Sequence, residues 1–263
     1  MPELPDVEGF RRVAQEAVGR EVEDVVVNDA QVLRGVRPQE FRKALRGKEF
    51  GTPWRHGKWL VIPVGTEFPE VLLHFGMTGR MLWCGRDDEP HKHDRVVFRF
   101  ADGELRYRDM RKLTGLHLAR RQSDLDAQLG ELGPDAMAAS AADYRERLTR
   151  TKRGVKAALM DQEVLAGLGN LTVDETLWQA RIHPARSTGD LSAPELSKLS
   201  RRAHTVLRQS AKVAHVPDRP SWLTGHRDEP DPHCPRCSTA LDRTKTAGRT
   251  TFHCPNCQPL DNS

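Results

Sequence analysis

The segment Met1-Pro2-Glu3-Leu4-Pro5-Asp6-Val7-Glu8 puts a secondary amine directly behind the first methionine, with carboxylates beside it. Proline is small enough for the preceding methionine to be trimmed, and the amine then exposed on Pro2 would titrate near ~7.7–8, far below a lysine. Much of it would be neutral at physiological pH and able to act as a covalent nucleophile. At the other end, Cys234-Pro235-Arg236-Cys237 and Cys254-Pro255-Asn256-Cys257 form two Cys-x2-Cys knuckles separated by residues 238–253. That spacing matches a four-thiolate tetrahedral zinc site, in which protein fills every coordination position and the metal is structural. A third signature is Leu165-Ala166-Gly167-Leu168-Gly169-Asn170. A glycine turn opening onto a helix exposes backbone N–H groups that can hold a phosphate, and Asn170 adds a side-chain donor. Cys84 reads as an ordinary thiol, and His91, His93 and Asp94 as a solvated polar loop.

These groups need elements to position them. Pro5 and Asp6 look like helix-start residues, and Val7, Phe10, Val13 or Ala14, and Ala17 recur at helical spacing, so Pro2 should sit near a helix N-terminus whose dipole lowers its amine pKa further. Short β-like segments follow at 21–27, 59–64, 70–75, 95–100 and 104–107, divided by turn residues such as Gly65, Gly76, Gly79 and Asp102-Gly103. Without long crossovers between them, they predict an antiparallel sandwich. From Ser123 to about Gln209 helical periodicity takes over, with the glycine turn between segments 155–160 and 173–180. A polar, proline-rich stretch over 216–233 then leads to the knuckles, between which 240–243 and 249–253 read as a hairpin with Arg249 near its tip. The reading is an α+β multidomain chain: a β-sandwich with a flanking helix over 2–121, a helical domain over 122–225 and a zinc finger over 226–263.

The 263 residues carry 41 Lys plus Arg against 37 Asp plus Glu, a formal charge of +4. So small an excess does not by itself indicate nucleic acid. Its distribution is more informative, with one cluster at Arg106, Arg108, Arg111 and Lys112, and another running from Arg145 through Lys156. No apolar run approaches a membrane span and the first 30 residues are charged throughout, so the expectation is a soluble, cytoplasmic protein.

Four anchors together give the chain a family resemblance: the opening Met-Pro-Glu-Leu-Pro, Gly57-Lys58-Trp59-Leu60 on a strand, Gly167-Leu168-Gly169-Asn170, and the four-cysteine finger with Gly248-Arg249-Thr250-Thr251-Phe252. Over essentially its whole length it resembles the formamidopyrimidine-DNA glycosylase and endonuclease VIII family of bifunctional base-excision enzymes. The resemblance implies a helix-two-turn-helix domain, one structural zinc ion, and duplex DNA with damaged bases or abasic sites as partner. It also implies a monomer associated with the bacterial nucleoid. By it, Pro2 attacks the sugar, Glu3 exchanges protons with the sugar oxygen and departing base, Lys58 contacts the flanking phosphate and assists base departure, and Asp6 and Glu175 tune the site. Met77, Arg111 and Leu113 fill the gap left by an everted nucleotide, while Lys156, Asn170 and Arg249 join the DNA-binding surface.

Three residues depart from the family pattern: Asp6 replaces glutamate, Leu113 a frequent phenylalanine, and Thr172 the usual tyrosine. Leu113 offers less stacking surface and bears on opposite-base selectivity, while Thr172 and a short segment over 210–233 point to oxidised pyrimidines, ring-opened purines or abasic sites over 8-oxoguanine. A non-catalytic DNA-damage binding protein would use the same clamp and finger with Met1 retained. A zinc-ribbon protein acting on RNA or on other proteins accounts for the tail but leaves Pro2, Glu3 and Lys58 without a role.

Overall fold

In the computed structural model, which describes residues 1–260, the chain forms two compact bodies. One comprises Met1–Pro2 and Asp6–Glu131; the other comprises Glu3–Pro5 and the chain from Leu132 onward. The last three residues of the expected finger lie outside the described residues.

The first body follows the order α1 (Leu4–Ala14, of which it holds the part from Asp6 on), β1 (Asp24–Val27), β2 (Leu33–Arg34), α2 (Pro38–Leu45), β3 (Trp54–His56), β4 (Trp59–Pro63), β5 (Glu70–His74), β6 (Arg80–Cys84), β7 (Asp94–Phe100), β8 (Gly103–Arg108), β9 (Gly115–Ala119) and α3 (Gln122–Leu129). One sheet runs β1-β7-β8-β6 and the other β2-β9-β5-β4-β3; every pairing is antiparallel except β2 with β9. Alternation along β4 explains the layering. Leu60 and Ile62 face the central core with Phe98, Phe100, Leu105 and Tyr107, and α1 and α2 add Val7, Phe41 and Leu45. Val61 points the other way, where it meets Leu72, Ala119 and Leu125. Because Leu125 and Leu129 cover that outer face, α3 belongs with the sandwich, although residue 122 was the expected start of the helical domain.

In the second body come α4 (Ala141–Thr149), α5 (Val155–Met160), α6 (Asn170–Ala180), α7 (Ala193–Val213), β10 (Asp242–Thr246) and β11 (Arg249–His253). Capping boxes at Ser140 with Asp143 and Ser192 with Glu195 start α4 and α7 by satisfying backbone donors at the helix ends. Along α7, Leu196, Leu199, Ala203 and Leu207 recur at helical spacing and pack with α6 residues Val173 and Leu177. Leu4, near the chain start, is buried in the same core. The stretch expected to be a polar spacer is partly core, since Trp222, Leu223, Thr224 and Arg227 are all buried. Ala247 and Gly248 form the two-residue turn between β10 and β11, both at positive φ (51° and 71°) as a tight hairpin turn needs.

Candidate active site

Pro2 opens onto a hollow of ≈ 360 Å³ in the first body, lined also by Met1, Asp6, Phe10, Met77, Thr78, Gly79 and Arg80. Two elements meet there. The first two turns of α1 supply Asp6 and Phe10, and the loop after β5 supplies Met77 to Gly79. Phe10 packs on Phe75 with ring centroids 4.4 Å apart, which anchors the helix against the base of the loop. Gly76 lies at φ +56°, and Gly79 approaches Phe75 so closely that a Cβ there would stand 2.5 Å from its carbonyl oxygen. The loop can therefore fold back over the hollow only with glycine at both positions.

Lys58 lies beside Gly57 (φ +57°) in the two-residue turn joining β3 to β4, rather than on a strand. The pairing of His56 with Trp59 requires that turn. Arg55 braces it, donating to the Gly57 carbonyl at 2.9 Å and reaching Glu8 of α1 at 3.4 Å. Burial, aided by the charges of Lys58 and His117, pulls the His74 imidazole down to about 4. His74 is accordingly neutral at pH 7, and its Nδ1 accepts the Gly76 N–H at 3.2 Å.

Arg111 and Leu113 sit on the loop between β8 and β9, organised by Asp109, which is 1 % exposed. Asp109 Oδ1 accepts from Thr78 Oγ1 at 2.5 Å and Arg111 N at 3.1 Å, and Oδ2 accepts from Lys112 N at 3.0 Å. The Arg111 guanidinium lies 2.9 Å from the Met77 sulfur. The structure thus joins Met77 and Arg111, two expected site residues, through an aspartate that the sequence reading passed over. An aspartate bonding backbone N–H groups two and three residues on is a known turn signature, and that signal was present.

In the second body Glu3 docks on the start of α6. Its Oε1 accepts from Leu171 N at 2.9 Å, and its Oε2 accepts from Thr172 N at 3.0 Å and Thr172 Oγ1 at 2.6 Å. A carboxylate at a helix N-terminus gains from both the unpaired N–H groups and the dipole. The glycines of the motif make the docking possible. A Cβ on Gly169 would lie 2.3 Å from Glu3 Cδ, and one on Gly167 (φ +112°) would lie 2.5 Å from Leu4 Cδ1. Gly167 N is bonded to Gln162 and Gly169 N to Thr172 Oγ1. These backbone donors, with those of Leu171 and Thr172, serve the protein itself, which corrects the expectation that they await a phosphate.

Asn170, the first residue of α6, donates through Nδ2 to the Thr250 carbonyl at 3.0 Å, next to Arg249 on the exposed start of β11. Its Oδ1 has no partner among the described residues. Lys156 departs from its expected place on a DNA-binding surface. It is fully buried, with Nζ 2.6 Å from Asp174 Oδ1 and 2.7 Å from Thr251 Oγ1. Arg227 meets the other oxygen of Asp174 at 3.0 Å. Burial lowers the Lys156 ammonium and raises the Asp174 carboxyl, while their contact opposes both shifts. Through Lys156, Asp174 and Thr251 the cluster fastens β11 to α5 and α6. Glu175, also buried, is pushed up to about 7 chiefly by desolvation, despite hydrogen bonds from Gln179 and Thr224.

The four expected sulfurs, Cys234, Cys237, Cys254 and Cys257, all lie within 4.8 Å of one another. Three of the separations are 3.5–4.0 Å, close to the edge of a tetrahedron with metal–sulfur bonds of about 2.3 Å. The donor set fits a structural metal. Trp178 Nε1 lies 3.4 Å from Cys234 Sγ, and Gln258 bonds both Cys254 N and the Ile182 carbonyl, tying the knuckles to the helices. In the first basic cluster, Arg106 is buried against Glu104, and Arg108 is half-buried and paired with Asp94. Asp94 itself is buried, unlike the solvated loop residue expected. Among the described residues no helix is long and apolar enough to cross a membrane.

Models of the formamidopyrimidine-DNA glycosylase N-terminal domain, the formamidopyrimidine-DNA glycosylase H2TH domain and the zinc finger found in FPG and IleRS match residues 1–116, 132–216 and 233–260. A formamidopyrimidine-DNA glycosylase of Geobacillus kaustophilus is 36% identical over 98% of this chain and 100% of its own length. A point mutant of the Lactococcus lactis FPG, solved in complex with a Fapy-dG containing DNA, superposes with a TM-score of 0.89 at 29% identity, covering 98% of this chain and 100% of that one. The wild-type L. lactis protein bound to DNA containing an oxidised pyrimidine gives 0.89 at 28% identity with the same coverage.

Proposed function

Because the chain belongs to the formamidopyrimidine-DNA glycosylase family, we propose that it excises damaged bases through the amine of Pro2 and then cuts the strand at the resulting abasic site. It is a base-excision DNA glycosylase with lyase activity, and the residue assignments and lesion class are our reading of its site. With Met1 removed, the Pro2 nitrogen attacks C1′ of the everted nucleotide, and the base departs. The amine adduct passes to an iminium that acidifies the C2′ proton, and loss of that proton expels the 3′ phosphate. Glu3 exchanges protons with the sugar oxygen and the leaving base. Asp6 and Glu175 tune the surroundings of these groups.

The observation that carries this reading is the convergence of Pro2, Asp6 and Met77 on one hollow. Met77, Arg111 and Leu113 fill the space vacated by the everted nucleotide, offsetting part of an unstacking cost of about a few kcal/mol per step. Lys58, Asn170 and Arg249 bind phosphates, which makes affinity fall steeply with salt. Zinc is the metal of the four-cysteine site, and its role is to hold the hairpin that carries Arg249. The lesion class we assign is oxidised pyrimidines, ring-opened purines and abasic sites over 8-oxoguanine. Its support is the short span left between the end of α7 at Val213 and buried Trp222 for covering an oxidised guanine.

Incubation with lesion-bearing duplexes and borohydride tests the proposal, because an iminium is trapped as a covalent protein–DNA species. Trapping should be strong in the wild type and absent in Pro2→Gly, and intact mass should show loss of Met1. Undiminished trapping in the variant would exclude Pro2 as nucleophile. Excision of 8-oxoguanine faster than thymine glycol or 5-hydroxyuracil would overturn the lesion assignment.

A further inference from the structure

We infer that Thr172 is a positioning residue for Glu3, its hydroxyl forming a two-way contact that keeps the carboxyl group in place whether or not it carries a proton. The inference rests on the reading of Glu3 as the proton-exchanging carboxylate. The Oγ1–Oε2 separation of 2.6 Å is typical of a hydroxyl donating to an ionised carboxylate. A threonine hydroxyl has one proton to give and two lone pairs to offer. Here one lone pair receives the Gly169 N–H at 2.9 Å, and a second acceptor, the Gly169 carbonyl, stands 3.2 Å away.

With Glu3 ionised, the hydroxyl proton points at Oε2. When Glu3 takes up a proton on Oε2, the hydroxyl turns its own proton to the Gly169 carbonyl and accepts the new one from Glu3. Every donor has an acceptor in both states, and the heavy atoms need not move. Glu3 can therefore gain and lose a proton without leaving the end of α6, where Leu171 N and Thr172 N hold it. Valine at this position leaves the buried Gly169 N–H unpaired and removes a donor from Oε2. Serine preserves the device.

The experiment uses the full-length, metal-loaded protein with Thr172→Val and Thr172→Ser. Three quantities are read: single-turnover excision of whichever lesion the wild type removes among thymine glycol, 5-hydroxyuracil, a ring-opened guanine and 8-oxoguanine, cleavage of a preformed abasic site, and affinity for a tetrahydrofuran duplex. Thr172→Val should slow excision by about 10- to 100-fold, while abasic cleavage and affinity stay within about threefold and Thr172→Ser recovers the excision rate. Excision at the wild-type rate in Thr172→Val overturns the inference. So does an equal fall in all three quantities, or a serine variant as slow as valine. Should the wild type itself fail to excise any lesion or to be trapped by borohydride, the catalytic reading of Pro2 and Glu3 falls, and the inference falls with it.

Discussion

Glu3 and Met77 receive opposite treatment from the fold. Glu3 is 2 % exposed and holds the end of α6 through three hydrogen bonds, whereas Met77 is 39 % exposed on its loop. Three of the six large apolar side chains left exposed among the described residues, Met77, Met110 and Leu113, lie on the two loops that Asp109 links. The contrast fits the roles proposed for the two groups. A group that moves a proton gains most from being fixed in advance, because its geometry must be right at the instant of reaction. A group that fills a gap in DNA has no partner until DNA arrives, and its exposed apolar surface marks an interaction site.

The comparison can be broken most severely at the metal. Chelation should release the hairpin carrying Arg249, lowering affinity for a lesion duplex by at least about tenfold and abolishing excision, since a four-thiolate finger draws its folding energy from the ion. Anisotropy titration with and without restored zinc measures this, and unchanged affinity after verified metal loss would contradict it. Next comes Gly169→Ala, whose Cβ must displace the Glu3 carboxyl. A misplacement of about 1 Å costs on the order of 100-fold in excision rate, and a rate within about threefold of wild type would mean that Glu3 need not dock on α6.

Exposed loop residues should matter less. Leu113→Ala and Met77→Ala should each reduce excision by about tenfold or less, reflecting a lost share of unstacking support. They should leave thermal stability unchanged, because neither side chain is in a core. A large fall in melting temperature would show that these loops are packed after all.

The smallest effect concerns Glu175. Its folded pKa of about 7 stands above its ordinary value of 4.5, so the folded state binds more protons between those pH values. The contribution is full below pH 4.5, declines as pH rises to 7 and is flat above. Glu175→Gln should erase that slope and add about 1 kcal/mol at about pH 8, provided Gln179 turns its amide oxygen to the new side chain. Denaturant melts at several pH values test it, and an unaltered slope assigns the dependence elsewhere.

Much of the plan was legible in the residues. Short apolar segments divided by turn residues marked most of the sandwich strands, and two Cys-x2-Cys pairs marked the metal site, with a hairpin between them that carries Arg249 near its tip. The strands Trp54–His56, Arg80–Cys84 and Gly115–Ala119 escaped because they are short and mix apolar with polar or charged residues, so that periodicity has little to register. Gly57-Lys58 read as strand because its flanks are strand, although two residues between paired runs are all that a hairpin turn requires. Lys156 misled for a different reason. A lysine in a basic run is usually solvated, and only the distant Asp174 and Thr251 explain why this one is buried. The glycine motif shows the same limit, because its purpose depends on Glu3, which lies 168 residues from Leu171.

The burial of Leu4 among the helices of the second body has a consequence for how the molecule is made. The amino end leaves the ribosome first, yet its hydrophobic anchor has no pocket to enter until residues beyond Leu132 have been synthesised. The short segment Glu3–Pro5 therefore waits, unanchored, while most of the polypeptide is still being made, and takes its place only once the helices that receive it exist.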